Sequence, residues 1–297
     1  MIVLALLLGS LGTADLVRTR FGTARTLWVA AAAGILVFVL AAAGSGLAWW
    51  WSPVAAAAII GWTLCTREGG TAPRTRGHRS GYWAVGALAL AVIAVFAFGS
   101  RVPAASGPLV DWYTALPYAA LDRVEFATFA LTAGFALFLV ESANIVVRLA
   151  LRGERSSTEP VTASVAPEPE TRRWWRRSRV PDSPAVSPAV PSFTELKGGR
   201  FIGPLERLFV LALLLTGEFT ALAAVIAAKG IVRFPEISQD GPGGSKAEYF
   251  LVGSLVSWSL AILAATTVVV LLLGSKMYSN SLLRTGARVK LGEALRG

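Results

Sequence analysis

Residues 212–225 read ALLLTGEFTALAAV, a run of apolar and small residues with one carboxylate, Glu218, near its middle. A charged side chain at the centre of an apolar segment is costly in lipid, so it is expected to be paired, protonated or used. The composition of this run predicts a segment that lies within a membrane. Its glutamate is the first candidate functional residue of the chain.

The composition of the whole chain indicates the same class of protein. Of its 297 residues, 54% are hydrophobic and 15% are charged, and the mean hydropathy is +0.59. Soluble domains usually carry about 25% charged residues. The 28 Lys and Arg residues outnumber the 18 Asp and Glu residues, but they lie in short clusters between apolar runs. That placement favours membrane topology and argues against nucleic-acid binding.

The residues of common catalytic sites are scarce. Cys65 is the only cysteine and His78 the only histidine, which excludes an intrachain disulfide and a histidine metal cluster. The sequence contains no glycine-rich phosphate loop, no serine nucleophile elbow and no HExxH helix. The separation of Cys65 from His78 fixes no geometry for a nucleophile pair. We therefore predict no cofactor and no metal, and we favour a protein that is not an enzyme.

Seven apolar runs are close to, or longer than, the roughly 20 residues that cross a hydrocarbon core about 30 Å thick. They predict an all-α, polytopic membrane protein with seven transmembrane helices. The first run is short and carries Asp15, and a tight GSGLAWWWSP turn joins the second to the third. No Lys or Arg precedes the first run, so we do not expect a cleaved signal peptide. The runs cover residues 2–17, 26–44, 47–65, 81–99, 124–149, 203–229 and 248–274.

The Arg and Lys residues are concentrated in alternate loops. Arg18, Arg20 and Arg25 follow the first run, and further clusters follow the third, fifth and seventh runs. By the positive-inside rule, the amino terminus is expected outside and the carboxyl terminus in the cytoplasm, with the chain in the plasma membrane.

The segment 152–198 replaces apolar runs with Pro, Ser, Thr, Glu and Arg. Such a segment cannot bury enough apolar surface to offset its ordering entropy, which predicts a disordered cytoplasmic linker. The linker divides the chain into an N-terminal membrane region of five spans (1–151) and a C-terminal transmembrane hairpin (199–275). A basic cytoplasmic tail (276–297) follows the hairpin.

The linker contains the basic and aromatic stretch TRRWWRRSR. Indole rings favour the headgroup level of a membrane, and each Arg near an anionic leaflet adds about 1 kcal/mol of attraction. One interpretation is contact with anionic lipids; the other is a basic patch that only marks the cytoplasmic side. The residues concerned are Arg172, Arg173, Trp174, Trp175, Arg176 and Arg177.

Three ionisable residues recur along the sixth run. Arg207, Glu218 and Lys229 are spaced by eleven residues, close to three helical turns. In one continuous helix they would share a face, with Glu218 about 16 Å from either cation. The partner of Glu218 would then be another helix, water or a proton.

The fifth run offers a partner for Glu218. Glu141, Asn144 and Arg148 form a polar stripe there, and two facing carboxylates could share a proton. The hydroxyl groups of Ser254 and Ser257, in the seventh run, are the alternative partners. We favour the interpretation that these groups hold helices together over the interpretation as a proton site.

The last third of the chain resembles the carboxyl-terminal segment of a family of uncharacterised prokaryotic multi-pass membrane proteins. The stretches that carry the resemblance are GRFIGPLERLFVLALL, AAKGIVRF and AEYFLVGSLVSWSLAI. The Arg-, Ala- and Val-rich composition is also similar to that of actinobacterial proteins. The resemblance implies a two-helix unit and no reaction. Its matching residues are Ile202, Gly203, Leu205, Glu206, Arg207, Ala227, Ala228, Lys229, Arg233, Phe234, Glu248, Tyr249, Gly253 and Ser257.

The charges of this unit have two structural interpretations. Glu206 at the start of the sixth helix and Lys229 at its end would suit the helix macrodipole. Alternatively, Lys229 or Arg233 pairs with Glu248 across the outer loop and fixes the hairpin. A functional alternative is that Lys229, Arg233 and Glu248 form an outer cluster that recognises an anionic lipid or solute.

Three functions remain open from the sequence. The leading hypothesis is a non-enzymatic scaffold or partner-binding module in the lipid bilayer, whose linker recruits a cytoplasmic protein. The second is a proton- or cation-coupled transporter or channel that uses Glu218 and Glu141. The third is a lipid-modifying enzyme that uses Asp111, Asp122 and Glu125 in an outer loop, where a short helical element could cap a cavity.

Overall fold

The fold is described here from a computed structural model, which covers residues 1–21, 24–67, 77–98, 104–119, 121–158, 199–238 and 245–294. Within these ranges the chain forms helices and turns, with no strand, so the prediction of an all-α protein is confirmed for this part of the chain. A 3-10 turn, Leu121–Arg123, precedes the sixth helix. The helices are α1 (Ile2–Phe21), α2 (Ala24–Gly44), α3 (Trp51–Cys65), α4 (Gly77–Phe98), α5 (Pro108–Thr114), α6 (Phe126–Val140), α7 (Ser142–Thr158), α8 (Gly199–Thr216), α9 (Phe219–Ser238) and α10 (Ser245–Ala294).

Several helices are compatible with a membrane. Within the described ranges, three are long and apolar enough to cross one: Ile2–Thr19 in α1, Thr26–Gly44 in α2 and Phe250–Gly274 in α10. The pair α6–α7 adds a fourth if it is counted as one span, although it is bent by 48°. Shorter apolar helices occur in α3, α4 and α9. The seven-span topology is therefore not confirmed.

The helices α1 and α6 pack closely against each other, and glycine permits it. A Cβ atom on Gly12 would lie 2.6 Å from the carbonyl carbon of Leu137, and one on Gly134 would clash with the carbonyl oxygen of Ala5. Because Ala5 lies beside Gly134 and Gly12 beside Leu137, the two helices run in the same direction. Small residues at such contacts let helix backbones approach closely within a bilayer.

Charged and apolar side chains occupy positions opposite to those of a soluble protein. On α2, the side chains of Trp28, Leu36 and Leu40 are all more than half exposed, whereas Asp15 and Arg207 are buried in the bundle. In water, large exposed apolar side chains and buried charges are both unfavourable. An outer surface of this kind suits a lipid solvent, with polar groups turned toward the protein interior.

The apolar run 203–229 is not one helix. The first part ends at Thr216 and the second begins at Phe219. Between them, Gly217 has φ +77°, in the left-handed region that glycine adopts most readily. The run therefore folds into two helices that are joined by a tight turn.

The turn at Gly217 has the hydrogen bonds of a Schellman motif. The backbone amide of Glu218 donates to the carbonyl of Leu213 at 2.9 Å, and that of Gly217 donates to the carbonyl of Leu214 at 3.3 Å. These bonds satisfy carbonyl groups that the last turn of α8 leaves without an intrahelical donor. Gly217, which follows the apolar sequence LALLLT, therefore ends α8 before the chain reaches Glu218.

The turn makes α8 and α9 antiparallel. Lys229 of α9 returns to contact Glu206 near the start of α8. The prediction that Arg207, Glu218 and Lys229 share one face of a single helix is therefore wrong, because the backbone reverses at Gly217.

Two helices extend into segments that the sequence assigned to a linker and a tail. The predicted linker begins at residue 152, whereas α7 continues to Thr158. The predicted tail begins at residue 276, whereas α10 continues to Ala294. The rest of the linker, with the predicted lipid-contact cluster at 172–177, lies outside the described residues.

Candidate functional site

The candidate site is a buried polar network around the break between α6 and α7. The break is at Glu141, whose backbone has φ −122° and ψ −40°. The last carbonyls of a helix lack an intrahelical amide, and within a membrane they need another donor. Asn144 Nδ2 donates to the Val140 carbonyl at 3.1 Å, and Arg207 Nη1 donates to the Leu139 carbonyl at 2.7 Å. Side chains therefore replace part of the helical hydrogen bonding.

Arg207 reaches the break from α8, and only 3% of its surface is exposed. Besides the Leu139 carbonyl, its Nε donates to Ser257 Oγ at 2.8 Å, and its Nη2 donates to Asn144 Oδ1. The planar guanidinium group presents several donors in fixed directions, which suits acceptors on different helices. One side chain thereby joins α6, α7, α8 and α10.

Asp15 of α1 contacts the other side of the break and is fully buried. Its Oδ2 accepts hydrogen bonds from Trp62 Nε1 at 2.9 Å and from Ser142 Oγ at 2.6 Å. Its Oδ1 lies 2.8 Å from Nη2 of Arg18 in an ion pair. Since Ser142 is the first residue of α7, this carboxylate joins α1, α3 and α7.

Arg18 extends the network to the end of α3. Its Nη1 donates to Thr66 Oγ1 at 3.0 Å and to the Thr63 carbonyl at 3.4 Å. A cation at the carboxyl end of a helix also interacts favourably with the helix dipole. The guanidinium group of Arg18 therefore balances the negative charge of Asp15 and also donates hydrogen bonds at the carboxyl end of α3.

A second cluster joins α8, α9 and α10. Lys229 Nζ lies 2.7 Å from both carboxylate oxygens of Glu206, and Trp258 Nε1 donates to Glu206 Oε1 at 2.6 Å. The ammonium also lies 5.1 Å from the ring centroid of Trp258 and 5.6 Å from that of Phe250, within the range of cation–π attraction. The pair is partly buried, with 22% of the Lys229 side chain and 13% of the Glu206 side chain exposed.

This cluster corrects the predictions for the hairpin charges. Glu206 and Lys229 are in contact and do not lie at opposite ends of one helix, because α9 folds back along α8. The partner of Lys229 is Glu206, so the predicted pairing with Glu248 is wrong for this lysine; Glu248 is exposed. The side chain of Arg233 lies outside the described residues.

The sequence leaves Glu141 and the hydroxyls of Ser254 and Ser257 open as partners of Glu218, and Glu141 is not its partner. Glu218 is exposed at the turn after α8, whereas Glu141 is buried at the break. The carboxylate near Glu141 is that of Asp15, whose Oδ2 accepts a hydrogen bond from the adjacent Ser142. In the predicted stripe, Asn144 faces Arg207, and Arg148 is exposed.

The sequence patterns do not predict the Asp15 side of the network. The i, i+3 spacing of Asp15 and Arg18 is nevertheless a signal for a pair on one helix face. Trp62 and Ser142 carry no local signal, because their roles depend on the packing of α3 and α7 against α1.

A separate cavity of about 500 Å³ lies beside α5 and the start of α6, and Asp122 and Glu125 line it. A short helix does form in this loop, and Tyr113 Oη donates to the Val124 carbonyl at 2.8 Å. Burial and, to a lesser extent, the Asp122 carboxylate raise the pKa of Tyr113 above its ordinary value. Asp111 is exposed, and the described residues contain no group of three or more His, Cys, Asp or Glu that could hold a metal ion.

Comparisons with protein-family models, with curated proteins and with solved structures give no match to this chain. The resemblance of the last third to a prokaryotic membrane family therefore stays a prediction.

Proposed function

We propose that the chain is a non-enzymatic membrane scaffold and that the residues between α7 and α8 bind its partner. The observation that carries this proposal is that the buried charged side chains contact groups on other helices of the bundle. Arg207 donates through all three of its nitrogens to groups on three other helices. Asp15 Oδ2 accepts two hydrogen bonds, and Asp15 Oδ1, which accepts no hydrogen bond from the described residues, faces Arg18 in an ion pair. These polar atoms serve helix–helix cohesion, which is a common role of polar residues within membrane bundles.

The position of the linker supports a partner-binding role. It connects α7, which supplies Ser142 and Asn144 to the network, with α8, which supplies Arg207. Its Pro-, Ser- and Arg-rich composition is typical of segments that bind partners without a packed core of their own. A partner bound to 159–198 is therefore attached on both sides to helices that the network fixes.

Deletion of the linker tests the proposal. Residues 160–195 are replaced by a Gly/Ser segment of equal length, which leaves α7 complete to Thr158 and keeps α8 connected. Cross-linking in intact cells followed by purification and mass spectrometry should show the loss of specific partners. Glu218→Gln, at the exposed turn, is the matched control and should retain them. An unchanged set of partners after linker replacement would contradict the proposal.

A specific observation favours a second candidate, a proton- or cation-coupled transporter. The buried carboxylates Asp15 and Glu141 lie near each other at the broken helix, because Asp15 bonds to Ser142, the neighbour of Glu141, and broken helices that meet buried charges are frequent at transporter binding sites. In this candidate function, Asp15 and Glu141 bind the proton or cation, and Glu218 does not take part.

Flux measurements separate the two candidates. Proteoliposomes with an imposed proton or sodium gradient are compared for the wild type, Asp15→Asn, Glu141→Gln and Glu218→Gln. The scaffold predicts fluxes equal to those of protein-free liposomes in all four preparations. Flux that both buried substitutions abolish and Glu218→Gln preserves would support the transporter and reject the scaffold.

A further inference from the structure

We propose that α8 and α9 form a transmembrane hairpin whose second helix is covered by lipid acyl chains. The chain then crosses the membrane twice between residues 199 and 238. As a consequence, the linker and the end of α10 lie on opposite sides of the membrane. This inference does not depend on the proposed scaffold function.

Contacts with the break define the direction of α8. Gly203 lies beside the side-chain amide of Asn144, and Arg207, one turn later, reaches the carbonyl of Leu139. Successive turns of α8 therefore meet earlier residues of α7 and α6. The helix α8 runs opposite to the α6–α7 pair.

The same contacts define the depth of α8. Leu139 lies at the middle of the bent apolar segment 126–151, so Arg207 lies near the middle of the membrane. Thr216 is nine residues beyond Arg207, which corresponds to about 14 Å at 1.5 Å per residue. Half of the hydrocarbon core is about 15 Å thick. The turn at Glu218 therefore lies at the far boundary of the membrane, where a charged side chain meets water.

The second helix returns through the same depth. Lys229 of α9 contacts Glu206, the neighbour of Arg207, and α9 continues for nine more residues to Ser238. By the helical rise, those residues cover about 14 Å, again close to half of the core. The helix α9 therefore ends at the side of the membrane where α8 begins.

The side chains of α9 identify its surroundings as lipid. Its lysine, Lys229, turns inward onto Glu206 of α8, whereas Ile231 and Val232 are both 73% exposed and Phe219 and Phe234 are about two-thirds exposed. A helix in water has the opposite arrangement, with its lysine outside and its large apolar side chains inside. The inward charge and the outward apolar surface match acyl chains as the covering material.

The start of α10 completes the topology. Gly253 lies beside Leu151 and Val147, near the end of the apolar part of α7, and Ser257 bonds to Arg207 near the middle of the membrane. The helix α10 therefore starts on the linker side and runs through Gly274 to the other side. The basic residues after 275 then face away from the Arg-rich linker, contrary to the positive-inside expectation.

Sidedness labelling of the full chain tests this topology. The native thiol is removed by Cys65→Ser, and single cysteines are introduced by Ser187→Cys in the linker, Glu218→Cys at the turn and Gly297→Cys at the end. A membrane-impermeant maleimide is applied to sealed vesicles before and after permeabilisation. The linker site should label from one side, and the other two sites from the opposite side. Labelling of Ser187→Cys and Gly297→Cys from one side, or no labelling of Glu218→Cys, would overturn the hairpin.

Spin labels test the lipid cover of α9. Nitroxides attached through Ile231→Cys and Val232→Cys, both at exposed positions, should collide with oxygen and not with a water-soluble nickel chelate. The Glu218→Cys label, which serves as the aqueous control, should show the reverse preference. Nickel collisions at 231 and 232 would place them in water, and protection from both reagents would mean a protein cover. Either of these results would overturn the proposal.

Discussion

Asp15 illustrates how one charged residue in the interior of the helix bundle is stabilised. Its Oδ2 accepts hydrogen bonds from an indole N–H and a hydroxyl group, and its Oδ1 accepts none from the described residues but faces the cation Arg18 in an ion pair. Glu218, the carboxylate most conspicuous in the sequence, needs no such environment because it lies at an exposed turn. Burial, rather than position within an apolar run, distinguishes the two acids.

We expect Asp15→Asn to destabilise the bundle. The amide can still accept a hydrogen bond from Trp62 or Ser142, but it loses the negative charge that faces Arg18. Loss of a buried partner costs about 1 to 3 kcal/mol. Denaturant unfolding in lipid bicelles should measure this decrease in the free energy of unfolding.

Glu218→Gln is the matched control and should change stability by less than about 0.5 kcal/mol, as exposed substitutions usually do. Equal stability of the two variants would argue against a cohesive role for Asp15.

At the scale of the helix, apolar runs predicted where helices form but not where they break. The runs at 2–17 and 26–44 correspond to the continuous helices α1 and α2. The run 203–229 divides because Gly217 takes a positive φ, which hydrophobicity does not encode. The break at Glu141 has neither glycine nor proline, and it depends on donors such as Arg207 that come from a distant part of the chain.

Glycine substitutions test the packing of α1 against α6. Gly12→Ala should destabilise the bundle by about 1 to 3 kcal/mol, because over-packing forces backbones apart. The added methyl group would lie 2.6 Å from the Leu137 carbonyl carbon. Gly86→Ala in α4 is the control, since a Cβ there meets nothing within 4 Å. It should leave stability unchanged or raise it by up to about 1 kcal/mol through helix propensity. The measurement is the unfolding midpoint of each variant in bicelles. An unchanged midpoint for Gly12→Ala would contradict the close contact between α1 and α6.

At the scale of the whole molecule, composition predicted the class of protein, and the contacts determined its organisation. The low charge content and the apolar runs indicated an all-helical membrane protein. Sequence patterns could also identify Arg207, Asn144 and Ser257 as polar candidates, but not that they form one site. Their side chains meet only after α6, α7, α8 and α10 have assembled.

The unfolding of Arg207→Met shows most directly whether buried charges hold the helices of this bundle together. Methionine keeps much of the side-chain length but removes the donors to Leu139, Asn144 and Ser257. Hydrogen bonds between membrane helices average about 0.6 kcal/mol and reach about 1.7 kcal/mol, so we expect a loss of about 2 to 4 kcal/mol. Arg67→Met, at an exposed arginine, is the control. We expect a large decrease in the free energy of unfolding for Arg207→Met alone; equal stability of the two variants would show that the buried arginine does not hold the helices together.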